Sequence, residues 1–151
     1  MMTKIEIFYA DDDKEDLEIF SNAIDVIIRK NGAGISLNLF KSGEEMIQRL
    51  ELAPPDNCIV FLDINMPGKN GFEILTNIRG NKDLDKVPVV IYSTSSDKNA
   101  QTVSYDLGAN LYIIKPDSFS ELKEMIRRVI HFDWKNLGGD PLNFVLNPIR
   151  N

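Results

Sequence analysis

Polar residues stand directly after four short apolar runs of strand length. Asp11 and Asp12 follow Ile5-Glu6-Ile7-Phe8-Tyr9-Ala10, and Asp63 follows Cys58-Ile59-Val60-Phe61-Leu62. Ser93 follows Val89-Val90-Ile91-Tyr92, and Lys115 follows Leu111-Tyr112-Ile113-Ile114. Three carboxylates brought within a few ångströms would repel one another and could not all ionise unaided. A hard divalent cation relieves that repulsion. Mg²⁺ takes oxygen ligands octahedrally, usually one or two carboxylates with waters and a phosphate oxygen. Lys115 adds a second positive charge, and the Ser93 hydroxyl can bond a phosphoryl oxygen. A carboxylate in such company is a plausible nucleophile for an aspartyl-phosphate. The chemistry the residue types suit is phosphoryl transfer at a metal.

These groups meet only if the runs are neighbouring strands of one parallel sheet, whose carboxyl ends share an edge where ligands bind. The rest of the pattern supplies that sheet. Amphipathic segments of helical period alternate with the strands. Leu17, Phe20, Ile24, Ile27 and Ile28 share one helical face, and Leu122, Met125, Ile126, Val129 and Ile130 share another. Ser42-Gly43-Glu44-Glu45 and Ser118-Phe119-Ser120-Glu121 read as capping boxes, and Asp13 and Ser96 or Asp97 as further caps. Ile35 to Phe40 is another strand, and Gly71 to Arg79 another helix. Near-continuous Val, Ile and Phe in the strands means burial on both faces. With right-handed crossovers, the expected fold is α/β: a doubly wound, five-stranded parallel sheet of flavodoxin-like order 2-1-3-4-5, with helices on both faces.

The 151 residues suffice for one domain with a real core. A formal net charge of −6 argues against nonspecific binding to nucleic acid or to an anionic membrane. Cys58 is the only cysteine, so no internal disulfide can form, and it reads as a buried strand residue in a reducing compartment. No apolar stretch approaches about 18 residues, so the chain reads as soluble and cytoplasmic. His131, the only histidine, suits a helix end rather than a metal cluster. Gly68 and Gly71 suit a turn and a helix start, and neither a GxGxxG nor a Walker pattern is present. Asp13, Glu15, Asp16, Asp83 and Asp85 read as caps or solvated loop acids.

From about Ile5 to Ile130 the chain resembles the receiver domain of two-component response regulators. The motifs are the acidic pair Asp11-Asp12 in Tyr-Ala-Asp-Asp-Asp, and Asp63 in Phe61-Leu62-Asp63-Ile64-Asn65-Met66-Pro67-Gly68-Lys69-Asn70-Gly71. Ser93 falls at the Thr/Ser position, with Thr94 beside it, and Lys115-Pro116 supplies the lysine. The resemblance implies that Asp63 takes a phosphoryl group from a histidine kinase with Mg²⁺. It implies a metal held by Asp12 and Asp63 directly, by Asp11 mainly through water, and by the Asn65 backbone carbonyl. Lys115 would pair with the acceptor and then with the phosphoryl group, and the Lys115–Pro116 bond would be cis. Tyr112 matches the aromatic switch position, acting with Ser93 or Thr94.

On this reading residues 1–131 are the receiver domain and 132–151 a tail without an output domain. The chain is then a single-domain regulator, similar to those partnered with phytochrome-type kinases. Its output would be contact with a downstream protein, or phosphotransfer to a further histidine protein in a multi-step relay. It would be a switch rather than an enzyme, with no nucleic acid or membrane partner. Two rivals use similar parts. A Mg²⁺-dependent phosphatase of the haloacid dehalogenase type needs a second aspartate two residues after the nucleophile, where this chain has Asn65. An FMN-binding flavodoxin needs a Thr/Ser/Gly-rich phosphate loop, where this chain has Asp11-Asp12-Asp13. In the tail, Phe132, Trp134, Leu142, Phe144, Val145 and Leu146 need burial. A homodimer is the favoured solution over a tail packed on its own domain.

Overall fold

The five apolar runs become strands, and a sixth strand comes from the tail. The computed structural model describes residues 4–31, 34–66, 68, 70–132, 134 and 144–146. The order is β1 (Ile5–Ala10), α1 (Lys14–Asn31), β2 (Ile35–Phe40), α2 (Gly43–Leu52), β3 (Cys58–Leu62), α3 (Gly71–Arg79), β4 (Val89–Ser93), α4 (Lys98–Asp106), β5 (Leu111–Ile114), α5 (Phe119–Ile130) and β6 (Val145–Leu146). All pairings are parallel, in the spatial order β2-β1-β3-β4-β5-β6. The expected order 2-1-3-4-5 holds, and among the described residues the short strand β6 adds to the expected five beside β5.

Alternation along each strand sends side chains to two separate cores. Ile7, Tyr9, Ile59, Phe61, Val90 and Tyr92 pack with Leu17, Phe20 and Ile24 of α1 and with Leu122, Met125 and Val129 of α5. Phe8, Val60, Leu62, Val89 and Ile91 pack with Met46 and Leu50 of α2 and with Ile74 and Ile78 of α3. Every residue of the central strands β3 and β4 is buried, which is why those runs carry no polar alternation. Edge strand β2 is only half-buried.

The helix starts follow local chemistry. Ser42 and Ser118 accept the backbone N–H of Glu45 and Glu121 at 3.2 and 3.1 Å. Asp97, rather than Ser96, caps α4. Asp13 accepts the N–H groups of Glu15 and Asp16 in the first turn of α1. Asn70 caps α3 through the N–H of Glu73, a cap the sequence reading passed over.

The described tail residues are covered by their own chain. The Phe144 carbonyl accepts the Tyr112 N–H at 2.9 Å, and Val145 and Leu146 stand opposite Tyr112 and Ile113. The Phe144 ring sits 5.3 Å from Tyr105 and 6.3 Å from Tyr112. Phe132 and Trp134 pack edge to face against each other beside the α1/α5 core. Phe144 and Leu146 are buried against their own chain, and Phe132, Trp134 and Val145 are half-buried. Leu142 lies outside the described residues. Among those residues no helix is long and apolar enough to cross a membrane.

Candidate functional site

Parallel register brings the strand ends together before any side chain is considered. The N–H of Asp63 donates to the Ala10 carbonyl at 3.2 Å, so the residue after β3 lies beside the end of β1. The N–H of Lys115 donates to the Ser93 carbonyl at 2.8 Å and places the end of β5 beside that of β4. The residues expected at the strand ends therefore share one edge of the sheet.

Asp11, Asp12 and Asp63 each offer an oxygen, and these atoms lie within 4.8 Å of one another. Asp11 is fully buried, Asp63 nearly so, and Asp12 exposed. Such a set suits a hard divalent cation open to solvent on one side. The Asp11 oxygens are already engaged. Its Oδ1 accepts the Asp13 N–H, and its Oδ2 accepts both the Tyr9 hydroxyl at 2.5 Å and Lys115 Nζ at 2.8 Å. Asp63 Oδ1 accepts the Asn65 N–H at 3.0 Å, while Asn65 itself is exposed.

The Lys115 ammonium touches three carboxylates: Asp16 at 2.7 Å, Asp11 at 2.8 Å and Asp63 at 3.3 Å. It also lies 5.5 Å from the Tyr92 ring centroid, within range of a cation–π attraction. Burial works against its charge. The hydrogen bonds to Asp11 and Asp16 and the charges of Asp63 and Asp11 outweigh burial, and hold the ammonium above its ordinary pKa. Asp63 moves upward too, to about 6, because burial and the charge of Asp11 prevail over the Asn65 N–H and Lys115. The two shifts agree once the distances are considered, since Lys115 is shared three ways and Asp63 has its longest contact.

Ser93 is fully buried, and its Oγ accepts the Ser95 N–H at 3.2 Å; Thr94 is exposed. Tyr112 is also fully buried, and its hydroxyl donates to the Ser95 carbonyl at 2.8 Å. One loop thus joins the Ser93 and Tyr112 positions. The Lys115–Pro116 bond is trans, where the resemblance implied cis; trans is the isomer an X–Pro bond favours by about 0.5–1 kcal/mol.

Two residues of this cluster escaped the sequence reading. In sequence Asp16 reads as one of the solvated acids, yet it makes the shortest contact with Lys115. Tyr9 reads in sequence as a strand residue, yet its hydroxyl donates to Asp11. The available signal was position: Asp16 sits in the first helical turn after the β1 acids, at the sheet edge carrying the other groups. Cys58 is buried as expected, and burial pushes its thiol up to about 12.

Gly71 also serves the site. A Cβ there would stand 2.5 Å from the Asp63 carbonyl oxygen and 2.6 Å from Ile64 Cα, both backbone atoms that cannot swing away. Gly71→Ala should therefore cost about 1–3 kcal/mol, the usual range for overpacking. Urea denaturation of the two proteins tests this, and equal midpoints with equal slopes would refute it. Gly68 holds φ at +78°, the turn conformation glycine favours.

Comparisons with known proteins bear on the family and the fold. The family described as the response regulator receiver domain matches residues 7–127. Response regulator Rcp1 of Synechocystis sp. is 33% identical over 108 residues, covering 72% of this chain and 69% of Rcp1. NtrC of Klebsiella pneumoniae, a DNA-binding transcriptional regulator, is 34% identical over 99 residues, but the chain spans only 20% of its length. Among solved structures, the phosphorylated cyanobacterial phytochrome response regulator RcpA superposes with a TM-score of 0.75 at 27% identity, covering 89% of this chain and 96% of that one. The Mn²⁺-bound form of Rcp1 gives a TM-score of 0.72 at 25% identity, covering 89% and 96%. The chain belongs to the response regulator receiver domain family.

Proposed function

We propose that this chain is a phosphorylation switch in which Asp63 accepts a phosphoryl group from a histidine kinase or a histidine phosphotransfer protein, with Mg²⁺. The observation that carries the reading is the meeting of Asp11, Asp12 and Asp63 within 4.8 Å, with Lys115 at 3.3 Å from Asp63. An Asp63 carboxylate oxygen attacks phosphorus, the P–N bond to imidazole breaks, and the imidazole leaves with a proton. Asp63, at about 6, is mostly ionised at neutral pH and so carries the electron pair for attack. Asp12 and Asp63 would hold the ion directly and Asp11 through water, in keeping with the three donors already on Asp11. The Asn65 carbonyl would complete the protein ligands. The ion would neutralise charge on the phosphoryl oxygens.

Ser93 and Lys115 then bond the phosphoryl oxygens. A shift of Ser93 or Thr94 passes through the Ser95 loop to the hydroxyl of Tyr112. The output is contact with a downstream protein. Similarity to Rcp1 and to RcpA over nearly the whole RcpA chain supports that reading. Acetyl phosphate with Mg²⁺, followed by mass-spectrometric mapping, tests it; phosphate anywhere but Asp63 would defeat it.

The metal reading gives its own expected result. Asp12→Ala should weaken Mg²⁺ binding about tenfold or more, a loss of about 1.4 kcal/mol. In wild type, saturating Mg²⁺ should pull the Asp63 titration below about 6, because a cation favours the charged form. NMR of the aspartate side-chain carbons follows both effects. Equal affinity in the two proteins, or an unmoved titration, would contradict the ligand set.

A further inference from the structure

We infer that Asp16 is a positioning residue that competes with the phosphoryl group for Lys115 and so sets the balance between the resting and phosphorylated states. The inference rests on the reading of Asp63 as the acceptor. A lysine ammonium has three N–H donors and no acceptor. Here its three carboxylate partners are Asp16 at 2.7 Å, Asp11 at 2.8 Å and Asp63 at 3.3 Å. No donor is left for a new oxygen, and the weakest contact is the one to Asp63.

Phosphorylation turns the singly charged Asp63 carboxylate into an acyl phosphate carrying close to two negative charges, and its new oxygens demand at least one of these donors. The partner that yields is decided by solvation. Asp11 is 0% exposed at its side chain and shares its Oδ2 with the Tyr9 hydroxyl, so losing Lys115 would strand a buried charge. The Asp16 side chain is 29% exposed and can exchange the ammonium for water at little cost. The Lys115–Asp16 bond is the one that opens. In the resting protein Asp16 therefore holds the lysine partly withdrawn from Asp63, and every phosphorylation event works against that bond.

Removing the Asp16 charge should favour the phosphorylated state. Asp16→Asn keeps the shape and leaves an oxygen acceptor, but cannot match a carboxylate for an ammonium. Beryllofluoride with Mg²⁺, titrated into the full chain by NMR, serves as the phosphoryl probe. Asp16→Asn should bind it about five- to tenfold more tightly than wild type. Glu15→Gln is the control, since it removes the same charge from the same helical turn at an exposed residue. It should change the affinity less than twofold. If Asp16→Asn gains no more than Glu15→Gln, the role of Asp16 is overturned. If instead wild type binds beryllofluoride no better than Asp63→Asn does, the acceptor assignment itself has failed.

Discussion

Asp63→Asn should abolish phosphorylation by acetyl phosphate and, in metal-free buffer near neutral pH, raise stability by about 1–3 kcal/mol. Both effects come from the same carboxylate. The amide lacks the nucleophilic oxygen pair, so no acyl phosphate forms. It also removes a charge from a nearly buried position beside the fully buried Asp11. The folded protein holds Asp63 at about 6 against an ordinary 3.8. Below 3.8 the carboxyl is protonated in both folded and unfolded chains, and the charge costs nothing. As pH rises from there to about 6 the unfolded chain ionises first, so folding is progressively opposed; above about 6 the penalty is constant. A shift of this size sets an upper limit near 3 kcal/mol at about 1.4 kcal/mol per unit. The difference between the proteins should therefore vanish near pH 4 and reach its full value by pH 7. Urea denaturation across that range measures it. Undiminished acid-labile phosphate on Asp63→Asn would remove Asp63 as the acceptor, and a stability gain independent of pH would remove the electrostatic explanation.

Phe144→Ala should destabilise the fold by about 2–4 kcal/mol, more than any change to an ordinary tail residue. Phe144 is 5% exposed and wedged against Tyr105 of α4 and Tyr112 of β5. Phe→Ala in a core that cannot collapse costs about 3–5 kcal/mol. Here the limit is lower, because among the described residues the pairing with β5 is the short one of Val145 and Leu146, which can undock instead. For a chain of this size each kcal/mol moves the melting temperature by about 2–4 °C, so a fall of about 5–15 °C is expected. A melting temperature unchanged within a degree would show that the sixth strand contributes nothing to the fold in solution. Tyr112 makes this a functional matter, since its ring and its N–H both meet Phe144. A loosened tail should also broaden the NMR signals of Tyr112.

The layered architecture and the gathering of the strand-end residues were legible in the pattern of residues. Strands such as Cys58–Leu62 and Val89–Ser93 are buried throughout, so they must be central and parallel. Once they are parallel, their carboxyl ends share an edge, and Asp11, Asp12, Asp63, Ser93 and Lys115 are brought together by register alone. Helical faces such as Leu122, Met125, Ile126 and Val129 were equally readable, because period and burial are the same information there. Tertiary structure alone decided the partners. Lys115 and Asp16 lie 99 residues apart, and nothing local distinguishes Asp16 from the solvated acids around it. The first turn of α1 carries Asp16 to within 2.7 Å of the lysine ammonium. Tyr9 reads as any strand aromatic until its hydroxyl is seen on Asp11. The tail showed only that its apolar residues must be covered. A strand of two residues has too little alternation to announce itself, and its place exists only because β5 would otherwise be an open edge.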